Sequence, residues 1–276
     1  MTGRSPVKRG YVRPLNFRDG VVDMGHGAGG RASAQLIEEL FVAAFDNPWL
    51  RQGNDGAAFS VELKPGERMV MATDAHVVSP LFFPGGDIGS LSVHGTLNDV
   101  AMGGARPLYL SASFIIEEGF ALADLKRIVE SMGRASRDAG VPIITGDTKV
   151  VERGSGDGVF ISTTGIGIIP NGVDTGGHRA RPGDAILVSG SIGEHGVAIM
   201  SKREGLEFET EILSDSAALH GLVAQMLAVA PDLRVLRDPT RGGLATTLNE
   251  IAGQSGVGML LDEAAIIVQP QVEAAC

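Results

Sequence analysis

Leu108-Tyr109-Leu110-Ser111-Ala112-Ser113-Phe114, the stretch from Leu122 to Asp138, and Pro142-Ile143-Ile144-Thr145 follow one another in the chain, and their order decides the fold class. Apolar residues alternate with small polar ones through the first run, the pattern of a half-buried strand. In the second, Leu125, Ile128, Val129 and Met132 recur at helical spacing, and Gly140 closes the helix. The third run, with Val159 to Ile169, supplies two more strands. Strands with helices between them, but without a regular βαβ alternation, predict an α+β fold.

The same reading extends towards the N-terminus. Gly20 to Met24 is a short apolar strand candidate, followed by the loop Gly25-His26-Gly27-Ala28-Gly29-Gly30. Leu36, Ile37, Leu40, Phe41, Ala44 and Phe45 predict an amphipathic helix over 31–45. Phe59, Val61 and Leu63, the turn Lys64-Pro65-Gly66-Glu67, and Met69 to Thr73 predict a hairpin. Val77 to Gly89, with Pro80, Pro84 and Gly85-Gly86, predicts a long ordered loop, and Leu91 to Met102 a helix.

Towards the C-terminus, Pro170 to Arg181 is the best linker candidate. Beyond it, strands are expected at 185–188 and 257–261, and helices at 194–202, 216–228 and 241–252. The organisation predicted is a flexible basic tail (1–19), an N-terminal domain (20–170), a linker (171–183) and a C-terminal domain (184–276).

Composition limits the function. The chain has 276 residues, 23 Lys and Arg against 33 Asp and Glu, and a net charge of −10, so its field repels nucleic acid and anionic membranes. An anionic substrate then needs a metal ion or local donors. Glycine, at 39 residues, is about twice as common as the roughly 7% average, which marks tight loops as important. One cysteine, Cys276, excludes an intramolecular disulfide and multi-thiolate metal sites, and points to the cytoplasm. No run is long and apolar enough to span a membrane.

Gly25, Gly27 and Gly30 fit G-x-G-x-x-G, but the preceding strand is weak and Asp46 ends a helix. A glycine hinge and a phosphate-facing loop fit equally, and both fit better than a nicotinamide site. Asp55, Asp74, Asp87, Asp99, Asp147 and Asp238 recur at turns or element ends beside small residues. Magnesium takes hard oxygen ligands and keeps waters, so a triphosphate enzyme commonly offers several carboxylates. The bland alternative for any one of them is a turn or helix cap. Lys149 in Thr145-Gly146-Asp147-Thr148-Lys149 could neutralise phosphate, and Asp238-Pro239-Thr240-Arg241-Gly242-Gly243 leads into a helix whose first N–H groups could bind an anion. No histidine pair has metal-ligand spacing; His26 and His94 are the two to watch.

Together, His26-Gly27-Ala28-Gly29-Gly30, Gln52-Gly53-Asn54-Asp55-Gly56-Ala57, Ser79-Pro80-Leu81-Phe82-Phe83-Pro84-Gly85-Gly86-Asp87-Ile88-Gly89, Gly95-Thr96-Leu97-Asn98-Asp99, Thr145-Gly146-Asp147-Thr148-Lys149-Val150-Val151 and the Asp238 motif resemble the HypE family of hydrogenase maturation proteins. That family lies in the ATP-dependent superfamily of aminoimidazole ribonucleotide synthetase, selenophosphate synthetase and thiamine monophosphate kinase. The resemblance runs from about residue 20 to the end of the chain.

It implies a two-domain aminoimidazole ribonucleotide synthetase-like fold, with an N-terminal mixed sheet and an incomplete C-terminal α/β domain. It also implies a homodimer, ATP and Mg²⁺, the carbamoyltransferase HypF as partner, and the HypC–HypD complex. Residues carried over for ATP or phosphate are Gly27, Gly29, Gly30, Asp147, Thr148, Lys149 and Asp238; those for Mg²⁺ are Asp55, Asp74, Asp99, Asp147 and Asp238. The implied reaction is ATP-dependent dehydration of a cysteine-bound carboxamide to thiocyanate, a source of cyanide ligands for [NiFe] hydrogenase. A truncated scaffold without turnover, or another ATP-dependent synthetase or kinase of the superfamily, are the alternatives. The family's chains end in a Pro-Arg-Ile-Cys tail. Here Gln269 to Cys276 is expected to begin an interior helix, so Cys276 matches an interior family position.

Overall fold

A computed structural model describes residues 13–205 and 211–276. A four-stranded sheet in the order β1-β6-β4-β5 organises the N-terminal half. Its strands are β1 (Arg68–His76), β4 (Arg106–Glu117), β5 (Ile143–Val151) and β6 (Val159–Ile169). β6 runs antiparallel to both β1 and β4, and β4 runs parallel to β5. That parallel pair needs a crossover, and α4 (Leu122–Asp138) supplies it.

One face of the sheet is covered by α3 (Ile88–Met102) and α4, which also pack on each other. Leu97 of α3, Leu110 and Ile116 of β4, Ile128 of α4 and Ile161 of β6 are all buried in the resulting core. The other face carries partly exposed apolar residues, among them Met69, Met71 and Ile115. A short ribbon of β2 (Phe82–Phe83) and β3 (Gly86–Asp87) leads into α3, whose first amides are capped by Asp87. The expected long loop at 77–89 is therefore partly ribbon.

The expected helix at 31–45 is continuous but not uniform: α1 (Arg31–Leu36), a π-helical stretch Ile37–Val42, and α2 (Ala43–Phe45). Three N-terminal expectations are corrected. Residues 13–19 are not a free tail, because the Leu15 amide donates to Glu39 Oε2 at 2.7 Å and Leu15 and Phe17 pack on the core; residues 1–12 lie outside the description. The Gly20–Met24 strand reduces to one bridge, Val21 to Ala121, before a 3₁₀ turn at Met24–His26. The 59–73 hairpin does not form. Its Lys64–Glu67 turn is present, but β1 pairs with β6, and the Phe59 ring packs 4.8 Å from that of Tyr109 in β4. Long-range pairing has overridden the local signal.

The C-terminal half is helical where it is regular: α5 (Glu194–Glu204), α6 (His220–Val229), α7 (Gly243–Ser255) and α8 (Pro270–Ala275). The expected strands at 185–188 and 257–261 are not formed. Ile186, Leu187, Leu260 and Leu261 are exposed, so an apolar run without a pairing partner stays irregular. Between the halves, residues 170–184 are irregular apart from a 3₁₀ turn at Gly177–Arg179, yet tied down at several points. Thr175 Oγ1 donates to Met102 O at 3.0 Å, and the Gly176 amide to Arg234 O at 2.9 Å. No helix among the described residues is long and apolar enough to cross a membrane.

Candidate functional site

Strand register separates the candidate residues into two groups. Asp74 of β1 stands opposite Thr163 of β6, which stands opposite Ala112 of β4, which stands opposite Gly146 of β5. These four share the helix-covered face. Asp147 and Lys149, one and three residues further along β5, share the opposite face with Ser113 and Ile115. β1 and β5 are the two edges of the sheet, three strand spacings or about 14 Å apart.

The first group forms around β1, α3 and the turn before α7. His76 Nε2 lies 3.7 Å from Asp74 Oδ2 and 3.2 Å from Thr163 Oγ1. Thr163 in turn bonds Thr96 of α3 at 2.5 Å and Ser92 O at 3.0 Å, so the imidazole sits in a saturated hydroxyl network. Burial lowers the His76 pKa, against the opposing pull of Asp74. α3 passes close to β1 because position 95 is glycine. A Cβ there would stand 3.0 Å from His76 Cε1 and 3.5 Å from Asp74 Oδ2. One turn on, at the same helical face, is Asp99.

Asp99 is half-buried, and its pKa is pushed up to about 6, first by burial and then by the carboxylates of Asp238 and Asp74. It also shares a side-chain hydrogen bond with Asp238, whose own pKa is raised by burial. The neighbouring carboxylates disfavour ionisation of Asp99 in the same direction as its burial. Arg237 is the nearby cation that lowers both values, while its guanidinium also pairs with Glu250 of α7. Sequence reasoning passed over Arg237 and His76. Arg237 adjoins the Asp238 motif, and His76 stands at i+2 from Asp74 on a strand, on the same face, so the pleat was the available signal.

The second group gathers at the β5 edge. Gly27 packs so closely that a Cβ would meet Val150 N at 2.5 Å, and Gly29 and Gly30 have φ of 78° and 90° with open space around them. Asp147 and Lys149 are exposed and Thr148 is half-exposed; Asp147 Oδ1 accepts from the Thr148 amide at 2.8 Å. Asp55 is exposed on an irregular segment, and Asp87 is occupied as a helix cap, accepting from the Gly89 and Ser90 amides at 2.8 and 3.0 Å. His26 caps its own 3₁₀ turn through the Asp23 amide. Cys276 is exposed just beyond α8, which packs on α5. The single five-aspartate cluster expected from sequence is thus three aspartates at one edge and Asp147 at the other. Among the described residues, no three acidic, histidine or cysteine side chains converge tightly enough to cage a metal unaided.

Two domain halves with acidic residues converging where they meet define a class of protein. Residues 53–169 match the AIR synthase related protein N-terminal domain, and residues 181–276 match its C-terminal domain. Carbamoyl dehydratase HypE of Cupriavidus necator is 78% identical over 270 residues, covering 98% of this chain and 76% of that protein. The Escherichia coli protein of the same name is 46% identical over 257 residues, with 92% and 76% covered. The chain belongs to the HypE family of carbamoyl dehydratases.

Solved structures agree. A HypE in complex with ATP superposes with a TM-score of 0.89 at 54% identity, covering 92% of this chain and 75% of that one. A HypE–HypF complex gives 0.75 at 51%, covering 87% and 77%. Thiamine-monophosphate kinase from Stenotrophomonas maltophilia, at 19% identity and a TM-score of 0.59 over 76% and 68% of the chains, shares the fold alone.

Proposed function

We propose that this chain binds ATP with Mg²⁺ and uses it to dehydrate a cysteine-bound carboxamide to a thiocyanate, in the cytoplasm, during cyanide-ligand synthesis for [NiFe] hydrogenase. The observation that carries the reading is the Asp74, Asp99 and Asp238 group, drawn from both halves of the chain. The donor set fits Mg²⁺: hard carboxylate oxygens, too few to enclose an ion, leave coordination positions for waters and polyphosphate. The ATP complex of a family member supports the nucleotide.

Asp74, Asp99 and Asp238 would hold the ion, which supplies charge neutralisation at the transferring phosphoryl group. Arg237, paired with Glu250 in the free protein, would turn to phosphate oxygens, and α7, which follows in the chain, offers a helix start of the kind that binds anions. Lys149, Asp147 and the Gly27–Gly30 loop form a second phosphate-facing patch at the other sheet edge.

Phosphoryl transfer from ATP to the carboxamide oxygen releases ADP and gives an imidate phosphate. Loss of inorganic phosphate, with both amide protons removed, leaves the S–C≡N group. The logic is leaving-group chemistry: hydroxide leaves poorly and phosphate well.

HypF delivers the carboxamide, a reading supported by the HypE–HypF complex; that the HypC–HypD complex receives the product rests on the family resemblance alone. The open sheet face with Met69, Met71 and Ile115 supports a homodimer built on the N-terminal domains. The domain limits we infer are 20–170 and 184–276, joined by 171–183. Cys276 is the one thiol of the chain; thiocyanate formed on it by carbamoylated protein with ATP would identify it as the carrier, and intact HypF binding without thiocyanate would favour a scaffold. The direct test of the site is nucleotide titration. ATP with Mg²⁺ should raise the melting temperature by several degrees, and an unchanged melting temperature at saturating nucleotide would refute the proposal.

A further inference from the structure

Asp99 and Asp238 belong to different halves of the chain, so something must fix how the halves meet. The described strap from Glu211 to Leu219 has no regular structure, but it is held at successive points. The Ser214 amide donates to Pro84 O at 2.8 Å, and Ser214 Oγ meets His195 Nδ1 of α5 at 2.9 Å. Ser216 Oγ meets His94 Nδ1 of α3 at 3.1 Å. Asn98, one turn beyond His94, makes two bonds: its Nδ2 donates to Ala217 O at 3.0 Å, and its Oδ1 accepts from the Leu219 amide at 2.8 Å.

α6 begins at the next residue, His220, packs on α3, and the chain beyond it leads to Arg237 and Asp238. Neighbouring faces of α3 therefore serve different ends: Gly95 and Asp99 face the carboxylates, His94 and Asn98 face the strap.

We propose that Asn98 is a positioning residue that sets Asp99 opposite Asp238 by gripping the strap on both a carbonyl and an amide. An amide side chain is suited to this because it donates and accepts from one plane, which neither a carboxylate nor an alkyl group can do. The inference rests on the reading of the carboxylate group as a divalent-cation and ATP site. Asn98 itself is given no contact with nucleotide; it acts through the strap.

The test uses the full chain with Asn98→Leu, of similar size, and Asn98→Ser should the first not fold. Two readouts are taken: hydrogen exchange of the peptide covering 215–222, and ATP affinity with and without Mg²⁺. Expected are exchange at Leu219 at least tenfold faster and a roughly tenfold smaller gain in ATP affinity on adding Mg²⁺, with Mg²⁺-free binding unchanged. Asn98→Gln, which keeps donor and acceptor, should restore most of both. Faster exchange with an intact Mg²⁺ gain, equal weakening with and without Mg²⁺, or no rescue by glutamine would each overturn the proposal. If the unaltered protein shows no Mg²⁺-dependent ATP binding, the functional reading falls instead, and the exchange at Leu219 alone decides whether Asn98 holds the strap.

Discussion

The two halves of the chain contain apolar runs of similar character with opposite fates. Leu110, Ile116 and Ile161 are buried in paired strands, whereas Leu187 is 82% exposed and Leu260 is 96% exposed in segments without a ladder. A strand is stabilised by what pairs with it, so hydrophobic patterning builds structure only where a neighbour takes up the backbone groups and the apolar face. For the site this is an asymmetry. Asp74 stands on an edge strand of the four-stranded sheet and Asp99 on a helix packed into the main core. Asp238 arrives on a turn held by the Arg237–Glu250 pair and by the strap that α3 grips.

That contrast is exposed to a large-effect test. Leu97→Ala removes a fully buried side chain where α3 meets the core and should cost about 3 kcal/mol in urea unfolding, within the range for buried leucines. A loss below about 1 kcal/mol would mean that the N-terminal core is far looser than its packing.

The next largest effect concerns the carboxylates. Asp238→Asn should weaken ATP binding in the presence of Mg²⁺ about tenfold. A double-mutant cycle sharpens the two-edge division: Asp74→Asn and Asp99→Asn should be strongly non-additive for Mg²⁺-dependent affinity, while Asp74→Asn and Asp147→Asn, about 14 Å apart across the sheet, should add within about 0.5 kcal/mol. Strong coupling between Asp74 and Asp147 in a single chain would erase that division.

A subtler effect is in pH. The folded-state pKa of Asp99, raised to about 6 from 3.8, means that its ionisation opposes folding. Any stability tied to its protonated form is complete below about pH 4 and is lost as pH rises towards 6 and beyond. Asp99→Asn removes that loss, so without divalent cation the variant should gain stability relative to the unaltered protein between pH 4 and 6.5 and keep the gain at pH 7. A flat difference across that window would show that burial and the neighbouring carboxylates do not raise the Asp99 pKa.

Much of the fold was legible because it depends on local pattern. The helix at 122–138 and the strand at 159–169 appear with the bounds that periodicity gives, since their apolar faces are buried where the pattern says. The hairpin at 59–73 failed because its second strand has a better partner more than 90 residues away, and nothing local carries that information. The site divides in the same way. Asp74, Asp99 and Asp238 were visible as acids beside small residues, but that Asp147 faces away from them depends on strand register, and the role of Asn98 on a strap placed by tertiary contacts. His94 was marked from sequence as a residue to watch; burial lowers its pKa, and its ring is spent on Ser216.

The smallest expected effect tests the exposed side of the comparison. Leu260 is almost wholly accessible and lies in a segment with no ladder, so Leu260→Ser removes nothing from a packed interior and should leave the unfolding free energy within about 0.5 kcal/mol. Its effect should appear in association instead. Leu187, Leu260, Leu261 and Ile267 are exposed apolar side chains of the same half, and exposed apolar surface promotes sticking between copies. Light scattering at rising concentration should therefore show less aggregation for the serine variant at equal stability. A stability loss comparable to that of Leu97→Ala would instead mean that Leu260 is buried in solution, and that the two halves are alike in packing after all.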